Sequence, residues 1–161
     1  MAAVAACSPG TDTNPAVSQV VSAPSPAPVA LTTVDGQRVS VPGSTPTALL
    51  FFSFSCGECV GGGKSLAQAQ ASAQQAGSKA GFLLVDMDPH ESAQDAARFR
   101  DQIGGKNLPA VIDTDARLSR TYKISAPTTV IVVDPAGKVT YQGHAPSADQ
   151  ILAQLDKAAG K

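Results

Sequence analysis

Residues 47–59 have the sequence TALLFFSFSCGEC, and this stretch decides how the rest of the chain is arranged. Its first part is a continuous apolar and aromatic run, which predicts a β-strand buried on both faces. Residues 64–75 are rich in Ala, Gln, Leu and Lys and contain no β-branched residue. This composition predicts a helix. The two cysteines, Cys56 and Cys59, therefore fall at a strand-to-helix junction.

This junction is a favourable place for thiol chemistry. Unpaired backbone N–H groups and the positive end of the helix dipole stabilise a thiolate there. We predict that Cys56 is the nucleophile, because it lies at the helix start, whereas Cys59 lies one turn inside and is shielded. The two cysteines are close enough in sequence to form a disulfide with each other. The pattern thus predicts a thiol–disulfide exchange protein.

Composition bounds the remaining possibilities. A chain of 161 residues with 43% hydrophobic residues suits one domain with a core and a tail. The formal net charge of −1 gives no support for binding nucleic acid or an anionic membrane. No apolar run is long enough to span a bilayer, and three cysteines are too few for a disulfide scaffold. We predict a monomer without cofactor, metal or nucleic-acid partner.

Residues 1–29 are predicted to form a disordered tail or tether rich in Pro, Ser and Ala, and residues 30–161 to form the domain. Cys7 follows Val4-Ala5-Ala6, which resembles the lipobox of bacterial lipoproteins, although no basic segment precedes it. Either the true start lies upstream and Cys7 is lipidated, or the resemblance is accidental. The first case implies a lipid-anchored or secreted protein of the cell envelope, and the second a cytoplasmic protein.

The remaining pattern alternates strands with helices. In chain order it predicts a hairpin over 30–41 with its turn at Asp35-Gly36, a strand over 82–87, a helix over 93–103 capped by Ser92 and ended by Gly104-Gly105, an extended segment over 108–113, a short helix over 116–122, strands over 128–134 and 139–142, and a helix over 148–159 capped by Ser147. Such an order predicts an α/β sandwich.

This order of elements, joined to a Cys-x-x-Cys motif and a Pro-Thr pair before the penultimate strand, resembles the thioredoxin fold. The resemblance is strongest to the TlpA and ResA proteins of the cell envelope, and it covers roughly residues 30–158. The matching pieces are the hairpin around Asp35-Gly36, Cys56 to Cys59, residues 108–113, Tyr122-Lys123-Ile124, Pro127-Thr128 and residues 133–138. The resemblance implies a three-layer sandwich with a mixed central sheet and an added N-terminal hairpin.

The resemblance also implies roles for single residues. Pro127 would be cis, lie against the cysteine pair and position the substrate. Cys56 would attack a disulfide of a client protein, and Cys59 would resolve the mixed disulfide. The clients implied are apocytochrome c or other envelope proteins, with a membrane reductase supplying electrons.

The chain departs from the family around the cysteines. Ser55 replaces the usual aromatic residue, Glu58 replaces the usual proline, and Leu50 stands where thioredoxin has a buried acid. Asp86 and Glu58 are the substitutes for that acid by default. We expect Glu58 to tune the redox potential, because its charge repels the Cys56 thiolate by ~0.6 kcal/mol. The modest stabilisation of the thiolate predicts a reductant or an isomerase-type partner rather than a strong oxidant.

Three other functions share parts of the pattern. Residues 61–65, Gly-Gly-Gly-Lys-Ser, imitate a phosphate-binding loop, but Glu58 stands where its first glycine belongs. Ser53 precedes Cys56 as in a peroxiredoxin-type thiol peroxidase, although Leu49 replaces the expected proline. A copper carrier similar to the Sco proteins would need a histidine where Ala126-Pro127 stands, and His90 and His144 are interpreted as surface residues. The glycines at 61–63 predict either a loosened first turn or a bare surface for a partner.

Overall fold

The computed structural model describes residues 26–161. Its elements are β1 (Val29–Thr32), β2 (Arg38–Val41), β3 (Thr47–Phe52), α1 (Cys59–Gln75), β4 (Gly81–Asp86), α2 (Ala93–Ile103), β5 (Ala110–Ile112), α3 (Arg117–Thr121), β6 (Thr129–Val133), β7 (Val139–His144) and α4 (Ala148–Ala158). Cys7 and most of the predicted tail lie outside the described residues, so the lipidation site and the tail boundary stay predictions. No helix within residues 26–161 is long and apolar enough to cross a membrane.

The central sheet has five strands in the order β5-β4-β3-β6-β7. β3 pairs parallel with β4 and antiparallel with β6, so the sheet is mixed and the predicted buried strand lies at its centre. β1 and β2 form a separate antiparallel hairpin. The predicted α/β architecture, with a mixed sheet and an N-terminal hairpin, is confirmed.

Alternate residues of the central strands supply two hydrophobic cores. Leu50 and Phe52 face the core made with α1, α2 and α4. Leu49 and Phe51 face the opposite core, which α3 and the hairpin cover. Both faces of the sheet are therefore buried, which explains why the strand is apolar throughout.

The predicted helix ends are largely confirmed. Ser92 and Ser147 are the N-caps of α2 and α4, each within a capping box. Gly104 ends α2 in the left-handed conformation, with a φ of 72°. One boundary was wrong, because α1 begins at Cys59 and not near residue 64.

The early start of α1 follows from the packing of two glycines. A Cβ atom on Gly62 would lie 3.1 Å from Cγ2 of Thr128, and one on Gly63 would lie 2.7 Å from Cγ2 of Ile103. Both glycines are buried, whereas Gly61 is exposed and has open space around it. The glycines thus bring α1 close to β6 and α2, and the predicted loosened first turn is not found.

The hairpin is tied to the domain by an ion pair. Arg100 on α2 donates two hydrogen bonds to the carboxylate of Asp35, at 2.6 and 2.9 Å. Gly36, at the predicted turn, has a φ of 80°, which suits glycine. The backbone N–H of Val34 also donates to the carbonyl of Ala110 in β5. The hairpin is thus fixed against β5, the edge strand of the sheet next to β4.

Candidate active site

The cysteine pair lies where the central strand passes into α1. The N–H of Cys56 donates to the carbonyl of Ser53 at 3.0 Å, and the N–H of Cys59 donates to the carbonyl of Cys56 at 3.1 Å. Cys56 therefore lies in the turn before the helix, with Glu58 as the N-cap, and Cys59 is the first helical residue. Both thiols are free. Cys56 is half-buried, whereas Cys59 is 0% exposed.

Thr128 joins the two sulfurs. Its Oγ1 lies 3.2 Å from Cys59 Sγ and 3.7 Å from Cys56 Sγ. Thr128 is buried immediately before β6, and its φ of 62° is unusual for a β-branched residue. A hydroxyl can donate one hydrogen bond and accept others, so this one group can serve both thiols. In the sequence Thr128 belongs to the matching Pro-Thr pair, but the pattern predicts no role for it.

The prediction that Pro127 is cis was wrong. The Ala126–Pro127 bond is trans, and the cis bond among the described residues is Val41–Pro42. The cis form of Pro127 was carried over from the family, although an X–Pro bond favours trans by about 0.5–1 kcal/mol unless its surroundings select otherwise. Pro127 itself is exposed, and the next residue, Thr128, makes the contact with the sulfurs.

The surroundings push the pKa values of the two thiols apart. Burial acts to raise the pKa of Cys56. Hydrogen bonds from the Cys59 thiol, the Thr128 hydroxyl and the N–H groups of Cys59 and Glu58 outweigh burial and hold this pKa below its usual value. Burial raises the pKa of Cys59, and so does the hydrogen bond between its thiol and Cys56. Cys56 is therefore the thiol that ionises first.

Glu91 holds the segment that precedes Cys56. Its Oε1 accepts hydrogen bonds from the hydroxyl of Ser53 at 2.9 Å and the N–H of Ser55 at 3.1 Å. Its Oε2 accepts from the N–H of Phe54 at 2.7 Å. In the sequence Glu91 falls in a predicted loop, and no local pattern connects it with a segment so far away along the chain.

Asp86 is a second carboxylic acid near Glu91. It is 0% exposed at the end of β4, and its Oδ1 accepts a hydrogen bond from the N–H of Asp88 at 3.0 Å. Its Oδ2 is buried and has no hydrogen-bond partner. Burial, followed by the influence of the Glu91 carboxylate, raises the pKa of Asp86 to about 8 and so favours its protonated form.

Glu58, the other acid near the cysteines, differs from Asp86 in its exposure. It is exposed, and its side chain makes no capping hydrogen bond at the start of α1. Its predicted role in tuning the redox potential stays a prediction. Leu50, at the position of the acid in thioredoxin, is fully buried in the core.

The structure offers little support for the phosphate-binding, peroxidase and copper-carrier alternatives. Residues 61–65 lie within α1, and Gly62 and Gly63 pack into the core, so they form no phosphate-binding loop. The hydroxyl of Ser53 is bonded to Glu91 and lies 2.7 Å from that of Ser55. His90 and His144 are both exposed. Within residues 26–161, no group of three or more His, Cys, Asp or Glu side chains is placed to hold a metal ion.

Comparison with known sequences finds a bacterial relative. The chain is 53% identical over 125 residues to the protein named mercury resistance operon ORF3 from Streptomyces lividans. The match covers 78% of this chain and 66% of that protein, so the chain spans slightly less than two-thirds of its relative's length. No protein-family model matches the chain.

Comparison with solved structures finds the same architecture in several bacterial proteins. The exposed lipoprotein thioredoxin of Streptococcus pneumoniae matches with a TM-score of 0.66 and 26% identity, over 81% of this chain and 99% of that one. StoA from Bacillus subtilis has a TM-score of 0.68 and 20% identity, over 82% and 98%. A thiol:disulfide interchange protein from Chlorobium tepidum has a TM-score of 0.68 and 22% identity, over 85% and 97%.

Proposed function

We propose that this chain, which has the fold of thioredoxin-like proteins, is a thiol–disulfide oxidoreductase acting on protein cysteines through Cys56 and Cys59. The observation that carries the proposal is a pair of free thiols that both contact the hydroxyl of Thr128, with Cys56 accessible and Cys59 buried. An accessible thiol of lowered pKa beside a shielded one of raised pKa suits a nucleophile and a resolving residue.

The reaction follows from these roles. The Cys56 thiolate attacks one sulfur of a client disulfide, that S–S bond breaks, and the first client thiolate leaves. Cys59 then gives up its proton and attacks Cys56 Sγ, which breaks the mixed disulfide and releases the second client thiolate. The client gains two electrons, and this chain ends with a Cys56–Cys59 disulfide. An upstream reductant returns the pair to the dithiol.

We place this activity in the cell envelope, with the protein acting as a reductant of the TlpA and ResA kind. The lipobox-like Cys7 and the pneumococcal lipoprotein among the structural relatives support that location. The dipeptide between the cysteines, Gly57-Glu58, holds no His or Arg that would stabilise the Cys56 thiolate further, and this supports a reductant, because a strong oxidant needs a much more stable reduced form. Apocytochrome c or other envelope proteins are the proposed clients, and a membrane reductase is the proposed source of electrons.

Redox titration against glutathione tests the direction of transfer. We expect a reducing potential for the wild type and a more oxidising one for Glu58→His, because an imidazolium would stabilise the thiolate. A strong periplasmic oxidant of the DsbA class has a reduction potential of about −120 mV. A wild-type potential close to that value would exclude a reductant. In parallel, Cys59→Ser should trap clients on Cys56 as mixed disulfides for mass spectrometry, and the matched Cys56→Ser variant should trap none.

A second candidate function, binding of Hg(II), is suggested by the relative named for a mercury resistance operon. The sulfurs of Cys56 and Cys59 are soft ligands, and both lie close to the hydroxyl of Thr128. The reduced pair would therefore bind Hg(II) as a bisthiolate. One equivalent of Hg(II) should then protect both cysteines from alkylation in the wild type. Equal binding by Cys59→Ser would contradict a two-sulfur site.

Peroxide consumption and Cu(I) binding by the reduced protein test the peroxidase and copper-carrier alternatives.

A further inference from the structure

The segment of residues 53–55, which carries the chain from β3 to Cys56, is held by one carboxylate. Glu91 accepts the hydroxyl of Ser53 at 2.9 Å, the N–H of Phe54 at 2.7 Å and the N–H of Ser55 at 3.1 Å. Three donors converging on one ionised group make a strong anchor, because hydrogen bonds to a charged acceptor are about twice as strong as neutral ones. These bonds join two loops that belong to different strands.

The same segment contacts both cysteines. The carbonyl of Ser53 accepts the N–H of Cys56 at 3.0 Å. The backbone N–H of Ser53 donates to the sulfur of Cys59 and favours its thiolate form. Whatever fixes Ser53 therefore fixes the turn that carries the nucleophile and a donor to the resolving thiol.

Asp86 is a buried acid whose pKa responds to Glu91. Two neighbouring carboxylates repel each other, and a proton on one of them removes that repulsion. Burial favours the protonated form of Asp86, so Glu91 can keep its charge for the donors of residues 53–55. The titratable groups that act on Asp86 are Glu91 and Asp88.

We propose that Glu91 is a positioning residue for the thiol chemistry, holding residues 53–55 and through them the hydrogen bonds of both cysteines. This inference rests on the proposed function, since it concerns the same two thiols. Glu91 touches neither sulfur, so it acts only through Ser53 and its neighbours.

The test depends on two effects of opposite sign on the pKa of Cys56. Removing a negative charge near a thiolate lowers the pKa of that thiol. Loss of the Glu91 anchor should raise the pKa of Cys56, because Cys56 moves away from its hydrogen-bond donors. We therefore expect the midpoint pH for alkylation of Cys56 to rise in Glu91→Gln by roughly half to one unit, the size of one hydrogen bond at a thiolate. In the matched control Glu58→Gln, which removes a charge without touching the anchor, the midpoint should fall or stay unchanged.

Two further measurements keep the test decisive. Alkylation of Cys59 in the native protein should become slower in Glu91→Gln than in Glu58→Gln, because Ser53 is no longer held where its N–H favours the Cys59 thiolate. If Glu91→Gln does not fold, Ser53→Ala removes one of the three bonds to Glu91 and should shift the Cys56 midpoint upward by a smaller amount. A midpoint that falls in Glu91→Gln as in Glu58→Gln, or an unmoved midpoint in both anchor variants, would overturn the proposal.

Alkylation needs no client protein, so the inference and the proposed function can fail separately. Absence of exchange with glutathione or protein disulfides in the wild type would remove the oxidoreductase function. A raised Cys56 midpoint in Glu91→Gln would still establish the anchor. Conversely, normal exchange in the wild type with unmoved midpoints would leave the function standing and remove Glu91 from it.

Discussion

The hydroxyl oxygen of Thr128, a buried residue immediately before β6, lies 3.2 Å from the Sγ atom of Cys59. The same oxygen lies 3.7 Å from Cys56 Sγ. Thr128 reaches this position with a left-handed backbone, and Gly62 leaves room for its methyl group. A single side chain thus links the two thiols and defines their relative environment.

Replacing Thr128 by valine should weaken the thiolate of Cys56. The variant keeps the branched shape but removes the hydroxyl that favours the ionised form of both thiols. We expect the pKa of Cys56 to rise by up to about one unit, since a hydrogen bond contributes about 0.5–1.5 kcal/mol and one pKa unit is about 1.4 kcal/mol. The pH dependence of alkylation measures it. Thr128→Ser retains the hydroxyl and should keep the pKa near the wild-type value, and equal shifts in both variants would contradict a role for the hydroxyl.

The two thiols of the reduced wild type should react very differently with an alkylating agent. Cys56 is half-buried and its pKa is lowered, whereas Cys59 is fully buried and its pKa is raised. We expect a single modification on Cys56, with a midpoint below the value of about 8.5 for a free thiol. Peptide mapping after a short pulse identifies the site. Preferential labelling of Cys59 would reverse the assigned roles.

Replacing Gly63 by alanine should destabilise the domain. The added Cβ would lie 2.7 Å from Ile103 Cγ2 and 2.9 Å from Phe99 Cζ, inside the core between α1 and α2. We expect a loss of about 1–3 kcal/mol in the free energy of unfolding, typical of an overpacked core. Gly61→Ala is the control in the same helix, and because Gly61 faces open space it should gain up to about 1 kcal/mol. Urea unfolding compares the two, and equal changes would mean that packing against α2 does not matter.

Asp86 should make the stability of the domain depend on pH. Its pKa is raised to about 8 in the folded protein, mainly by burial. It is about 3.9 in the unfolded chain, so the native state binds the extra proton between these values. The free energy of unfolding of the wild type should therefore fall, relative to that of Asp86→Asn, as the pH rises through this range, and should level off above it. Urea unfolding of both proteins over the range measures the difference, and parallel curves would show that Asp86 is ionised in the folded state.

Elements whose causes are local could be predicted from the order of residues alone. The apolar run of residues 47–52 predicted a strand buried on both faces, and it lies at the centre of the sheet. Ser92 and Ser147 predicted the starts of two helices, because a cap is formed with the residues that directly follow it. The Cys-x-x-Cys spacing likewise placed both cysteines at the end of that strand, since the whole motif lies in one turn.

The distant groups that contact these cysteines became evident from the folded arrangement of the chain. The start of α1 at Cys59 depends on Gly62 and Gly63 packing against β6 and α2, whereas helix propensity disfavours glycine. Thr128 contacts the sulfurs while Pro127 stays trans and exposed, which the family pattern did not predict. Glu91 reaches residues 53–55 from another loop. Such contacts are set by how strands are ordered in the sheet, and no local pattern in the sequence records that order.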